Sequence, residues 1–219
     1  MNAEVSLQKR GPFLTDIEEI RRRARQHIEK GAVTPGYRGD LKTVLRVLNG
    51  ALATELVCVL RYKRHHYKAK GIHPQSVAAE FLEHAAEEQG HADQIAARII
   101  QLGGQPDFSP EGMLTRSHTE YVEGETLHDM IREDLVAERI AIESYSEVIR
   151  YLGDNDPTSR WIMEAILVNE ARHAEDMRAL LQAIGQEEGQ REHPGAQRHG
   201  VAAHSSDNGG SHDEAKHQR

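Results

Sequence analysis

Residues 81–102 read FLEHAAEEQGHADQIAARIIQL. Phe81, Glu88, Ile95 and Leu102 recur every seven residues in this stretch, the spacing that keeps one row of side chains on one helix face. Three of the four are large and apolar; Glu88 interrupts them with a charge. His91 follows three residues later, so its imidazole and the Glu88 carboxylate share a face and can hold one ion together. Placing such groups in an apolar row is costly unless something pairs with them.

The same interruption recurs on three other helical patterns. Met163, Glu170, Met177 and Ile184 form one row, and His173 falls between Ile166 and Leu180 on the next. Leu41, Leu48, Glu55 and Tyr62 form another, and Ile131, Glu138, Tyr145 and Leu152 the last. Glu55 precedes Glu88 by 33 residues, and Glu138 precedes Glu170 by 32. Glu-x-x-His by itself is a weak signal: Glu125/His128 and Glu214/His217 match it too. Four core rows broken near mid-helix by Glu, two of them with His three residues on, carry much more weight. Four carboxylates sharing one cavity repel unless protonated or neutralised, and two divalent cations neutralise them. Oxygen-rich ligation with one imidazole per ion suits iron, or manganese, better than a thiolate-seeking metal.

Four long helices are predicted: A from about Asp40 to Ala69, B from Pro74 to Leu102, C from Gly124 to Leu152 and D from Asp156 to Ile184. Asp40 and Asp156 suit N-caps, Pro74 and Pro157 first-turn positions, and Gly71, Gly103, Gly153 and Gly185 stops. Each helix spans about 40 Å, and matched lengths indicate a bundle. Short A–B and C–D connections make two antiparallel hairpins. The segment from Gly103 to Glu123 is long enough to cross the whole bundle, with a short helix expected near Ser109–Ser117. Before the bundle, residues 1–39 form an arm and a short helix, with Thr15 and Glu18 placed as a capping box. The run Arg21, Arg22, Arg23 and Arg25 on that helix reads as a solvated face or oligomer contact, with local DNA attachment as the sharper alternative. The bundle proper is assigned to 40–185. Residues 186–219 hold almost no aliphatics and are expected to be a disordered, His-rich tail. A weak metal-capture role for its histidines is the sharper alternative to simple solvation.

Bulk properties narrow the field. Net charge is -8 over 219 residues, so no overall basic field draws in nucleic acid. Cys58 is the single cysteine, which rules out an internal disulfide and fits a reducing, cytoplasmic setting. No membrane span is expected. Among lesser candidates, Tyr62 is open between core packing and service to the site. Cys58 reads as a small core residue. His65, His66, His84 and Asp134 read as helix-surface groups, with a supporting role at the site as the alternative for His84 and Asp134.

On Glu55, Glu88-Gln89-Gly90-His91, Glu138 and Glu170-Ala171-Arg172-His173, the chain resembles the bacterioferritins and related ferritin-like di-iron proteins, over about Leu41 to Ile184. The resemblance implies an all-α, ferritin-like four-helix bundle with a long B–C crossover. It also implies a ferroxidase that oxidises Fe(II) with O2 or H2O2 at two iron ions per subunit. Glu55 and Glu138 would be terminal ligands, Glu88 and Glu170 bridging ones, His91 and His173 each on one iron, with Tyr62 matching the family's tyrosine beside the centre. Haem is not expected, because the family's haem Met position holds Gln89. The polar tail, where shell-forming 24-mers carry a fifth helix, resembles the Dps-like branch and its 12-subunit shells. A homo-oligomeric shell is therefore expected. A rubrerythrin-like or dimanganese peroxide-reducing enzyme is one alternative, and a DNA-protecting shell is another.

Overall fold

The computed structural model describes residues 16–69 and 75–192, with side chains described from Asp16 to Ala69 and from Ser76 to Gln186. Residues 1–15 of the expected N-terminal segment 1–39 (Thr15 included), the A–B turn with Gly71 and Pro74, and residues 193–219 of the expected tail lie outside the described residues, whereas 186–192, also assigned to the disordered tail, are helical. Six α-helices are present among those described: α1 (Ile17–Ala24), α2 (Leu41–Ala69), α3 (Gln75–Gln101), α4 (Met113–Arg116), α5 (Leu127–Leu152) and α6 (Pro157–Glu192), with a 3-10 turn at Ile28–Lys30. There is no strand among them.

Helices α2, α3, α5 and α6 form the predicted bundle. Contacts on α2 and α3 run in opposite senses: His66 meets Ala78, Tyr62 meets Phe81, and Glu55 meets His91. Helix α6 runs antiparallel to α3, with Ser159 on Arg98 and His173 on Glu88. Helix α5 runs antiparallel to α2, with Tyr145 on Glu55 and Asp134 on Arg61. Two hairpins joined by a full-length crossover are the result. Through Met177 the four heptad rows face inward; every member is buried except Leu41, which is partly so. Leu48, Leu52, Ile95, Ile99, Tyr145, Met163 and Ile166 belong to one contiguous core.

Local chemistry sets the helix ends. Asp156 caps α6, accepting the amide of Ser159 at 3.0 Å. The hydroxyl of Tyr37 reaches the same carboxylate at 2.9 Å and ties the segment before α2 to the start of α6. Three expectations at helix ends are corrected. The cap of α1 is Asp16, whose carboxylate accepts the amides of Glu18 and Glu19 at 2.8 and 3.4 Å. Helix α5 starts at Leu127, later than Gly124, because Thr126 and Asp129 close a reciprocal capping box. Gly124 instead takes φ +60 just before it, and a Cβ there would lie 2.7 Å from the amide of Met130. Helix α6 runs through Gly185 and Gly189 to Glu192: an interior glycine costs about 1 kcal/mol, too little to end a helix this long. The short helix expected in the crossover is α4.

Helix α1 buries none of its residues. Arg21 and Arg22 pair with Glu18 and Glu19 one turn earlier, at 2.6 and 2.7 Å. Helix α2 also differs from expectation. It contains an 18-residue window of mean hydropathy 1.6, long and apolar enough by length and composition to cross a membrane. In the bundle this helix packs against α3 and α5 and holds a buried Glu55 at its centre.

Candidate metal centre

Midway along the bundle, Glu55 (α2), Glu88 and His91 (α3), Glu138 (α5), and Glu170 and His173 (α6) are brought together, each no more than 2% exposed. The inward nitrogen of His91, Nδ1, lies 3.0 Å from Glu170 Oε1, 3.3 Å from Glu55 Oε2 and 3.6 Å from Glu88 Oε2. Nδ1 of His173 lies 3.0 Å from Glu88 Oε1 and 3.9 Å from Glu138 Oε2. These atoms make two ligand groups, Glu55–Glu88–His91–Glu170 and Glu88–Glu138–Glu170–His173, each with donors within 4.8 Å of one another. Glu88 and Glu170 belong to both. All six residues named from the sequence are thus in one cluster, and Tyr62 borders it.

The neighbours orient the cluster. Tyr62 donates its hydroxyl to Glu138 Oε1 at 2.5 Å, and Tyr145 donates to Glu55. Nε2 of His173 donates to Glu87 Oε2 at 2.7 Å, and Glu87 is braced by Arg172 at 2.5 Å. That bond fixes the tautomer and leaves Nδ1 to face inward. The amide of Asn169 meets Nε2 of His91 at 3.0 Å. With its oxygen turned toward the ring it accepts that N–H and does for His91 what Glu87 does for His173. The sequence reading missed Tyr145, Glu87 and Asn169 as parts of the site. Tyr145 was visible as a core-row member seven residues after Glu138, and Glu87 and Asn169 sit next to Glu88 and Glu170.

Charge is under strain in this cavity. Burial and the adjacent Glu88 push the Glu138 carboxyl up to about 7. Burial and the same neighbour push Glu55 and Glu170 well above the usual carboxylate range. Burial opposes ionisation of Glu88 as well, but hydrogen bonds from Glu55, His173 and His91 outweigh it and hold that carboxyl low. The carboxylates outweigh burial at His91 and raise it to about 12. Buried Oε2 of Glu88, Oε2 of Glu138 and Oε1 of Glu170 have no well-aligned hydrogen-bond partner. Orphaned carboxylate oxygens converging on one space are what a pair of cations would satisfy.

Four surface readings are corrected. His65, His66, His84 and Asp134 are all buried. Asp134 orients no candidate ligand. It holds the buried Arg61 at 2.9 Å and meets Nδ1 of His65 at 2.8 Å. His66 donates to the carbonyl of Ala78 at 2.5 Å. His84 stacks on His173 with ring centroids 4.2 Å apart, and burial together with the neighbouring His173 lowers its pKa to about 4. Cys58 is buried, as expected of a core residue. Gln89, at the haem-Met position, donates to Asp93 on its own helix at 2.9 Å.

Comparison with known proteins agrees with this fold. Residues 45–186 match the family model described as a ferritin-like domain. A bacterioferritin of Desulfovibrio desulfuricans is 31% identical over 140 residues, which are 63% of this chain and 74% of that one. Among solved structures, a dodecameric thioferritin, the bacterioferritin-related protein from Bacteroides fragilis, aligns with a TM-score of 0.66 at 29% identity, covering 69% of this chain and 92% of that one. The Desulfovibrio desulfuricans bacterioferritin, solved with its diiron site in different catalytic states, aligns at 0.61 with 26% identity, covering 67% and 82%.

Proposed function

Because the chain belongs to the ferritin-like family, with bacterioferritins among its relatives, we propose that it is a ferroxidase taking Fe(II) as substrate at the centre of its bundle. Two Fe(II) ions bind side by side. Glu55 and Glu138 serve as terminal ligands, Glu88 and Glu170 bridge, and His91 and His173 take one ion each through Nδ1. The observation that carries this reading is that Glu88 and Glu170 are shared by two overlapping four-ligand groups. A single-ion site needs no such sharing.

Each Fe(II) gives up one electron. With H2O2 as oxidant, two Fe(II) and two protons yield two Fe(III) and two waters; with O2 the partner product is H2O2. The chain supplies charge and position. Four carboxylates offset the growing positive charge without moving, which is preorganised electrostatic stabilisation. Tyr62 and Tyr145 hold the terminal carboxylates, Glu87 and Asn169 hold the imidazoles, and aliphatic rows on either side limit water. The Fe(III) product is passed on for storage, which removes reactive Fe(II) from peroxide. A homo-oligomeric shell is the assembly we infer, supported by the dodecameric relative. We place the protein in the cytoplasm, where the free thiol of Cys58 stays reduced.

Replacing Glu88 and His91 together by Ala abolishes rapid Fe(II) oxidation, followed by absorbance of the ferric product, while circular dichroism shows unchanged helix content. Undiminished oxidation in that variant refutes the assignment. Oxygen evolution from H2O2 without Fe(II) loss would instead mark a dimanganese catalase-like enzyme.

A further inference from the structure

Beside the central cluster, one turn toward the start of α3, lies a second group of donors that the proposed reaction does not use. Glu80 and His84 are one turn apart on α3, and Asp176 faces them from α6. Nε2 of His84 lies 3.5 Å from Glu80 Oε1 and 3.5 Å from Asp176 Oδ2. The three donor atoms are all within 4.8 Å of one another. The His84 side chain is 1% exposed, whereas Glu80 and Asp176 are 36% and 33% exposed, so the group opens to solvent on its carboxylate side.

The hydrogen bonding of His84 decides what this group can do. Its Nδ1 meets the hydroxyl oxygen of Tyr62 at 3.3 Å. Tyr62 gives its own proton to Glu138, so Nδ1 is the nitrogen that carries hydrogen and donates. In the neutral imidazole Nε2 then holds a lone pair. That atom is buried and has no hydrogen-bond partner. A lone pair therefore points between two carboxylates, and none of the three facing atoms is itself a donor. Acceptors facing one another repel; a cation placed between them binds all three. Separations of 3.5 Å fit tetrahedral ligands on bonds of about 2.1 Å. Two carboxylates balance a divalent charge. Arg172 pairs with the same Asp176 oxygen at 3.1 Å but also holds Glu87 at 2.5 Å, so it keeps a partner when Asp176 turns to a metal.

We propose that Glu80, His84 and Asp176 form a third, mononuclear site for a divalent cation, at the solvent side of the dinuclear centre. Its imidazole stacks on His173, so an ion held there waits one side chain away from the pair. The existence of this site does not depend on the ferroxidase reading; only its occupancy by Fe(II) does.

The test is anomalous diffraction from crystals of the full-length protein equilibrated with Zn(II), paired with a Zn(II) titration in solution. Expected are three ions per chain, one of them bonded to Nε2 of His84 at about 2.1 Å. Glu80→Gln with Asp176→Asn, at two partly exposed positions, loses that ion and keeps the other two. The Glu88→Ala, His91→Ala variant keeps the His84 ion while the pair is lost. No density at His84 when the central pair is full overturns the proposal, as does a third ion that survives in Glu80→Gln, Asp176→Asn. Density at His84 with an empty centre would uphold it while refuting the proposed function.

Discussion

Asp134→Ala tests whether a long-range ion pair holds the bundle together. Arg61 and Asp134 have side-chain exposures of 1% and 0%, with Nε and Oδ1 2.9 Å apart. Removing the carboxylate leaves the guanidinium buried beside only the Glu120 carbonyl and the Cys58 sulfur. It also takes away the acid facing Nδ1 of His65. Breaking one side of a buried pair costs about 3–5 kcal/mol; the Glu120 carbonyl still accepts, so about 3 kcal/mol is expected here. For a chain of this size that lowers the melting temperature by about 6–12 °C. Thermal unfolding of metal-free protein, followed by circular dichroism, reads the loss without the added stability of bound metal. Asp134 touches none of the six candidate ligands, so Fe(II) oxidation at 25 °C should stay near the wild-type rate. Combining Asp134→Leu with Arg61→Met should recover much of the loss, because neither charge is then left buried alone. A loss below about 1 kcal/mol in Asp134→Ala, the level of an exposed pair, would refute the reasoning.

Tyr145→Phe removes the proton donated to Glu55 and should weaken Co(II) binding at the centre by about tenfold; an unchanged titration midpoint would count against the role given to Tyr145. Metal binding should expel protons, because burial and Glu88 hold Glu138 near 7 and raise Glu55 and Glu170 above the usual range. Affinity then falls as pH drops through neutrality, and calorimetry in two buffers of different ionisation enthalpy gives different apparent heats; identical heats would contradict it. Asp156 is held below its ordinary value: burial opposes this, but hydrogen bonds from Ser159 and Tyr37 and the charge of Arg98 prevail. A depressed carboxyl stabilises the fold above the unfolded value of about 3.9 and loses that contribution as pH falls below it. Asp156→Asn should therefore be less stable than wild type at pH 7 and converge with it in acid; a gap that is constant with pH would exclude this linkage.

The four bundle helices and the six central residues were legible because heptad rows report burial directly. A Glu in a row otherwise made of Leu, Phe, Ile and Met is buried wherever its neighbours are. Partners across the bundle were not legible. His65, Asp134 and Arg61 look like ordinary polar helix positions until α2 and α5 are laid side by side, since 73 residues separate Arg61 from Asp134. His84 reads as a surface group for the same reason: what it does depends on Asp176 from another helix. Helix ends failed on local grounds. Gly185 reads as a stop although a glycine is a weak one, and Gly124 reads as a start although the Thr126–Asp129 box sets the helix end.

The stretch between α4 and α5 is long, but it has little slack. Helix α2 fastens it with four consecutive clasps: Arg61 to the carbonyl of Glu120, Arg64 and His65 to that of Glu123, and Lys68 to that of Gly124. Each clasp comes from a side chain rooted in a rigid helix, so the strap inherits that rigidity. A protease acting under native conditions should therefore find this segment a poor substrate despite its length. If the strap were nicked, its C-terminal part would stay pinned along the helix it crosses, and the second hairpin would remain docked on the first.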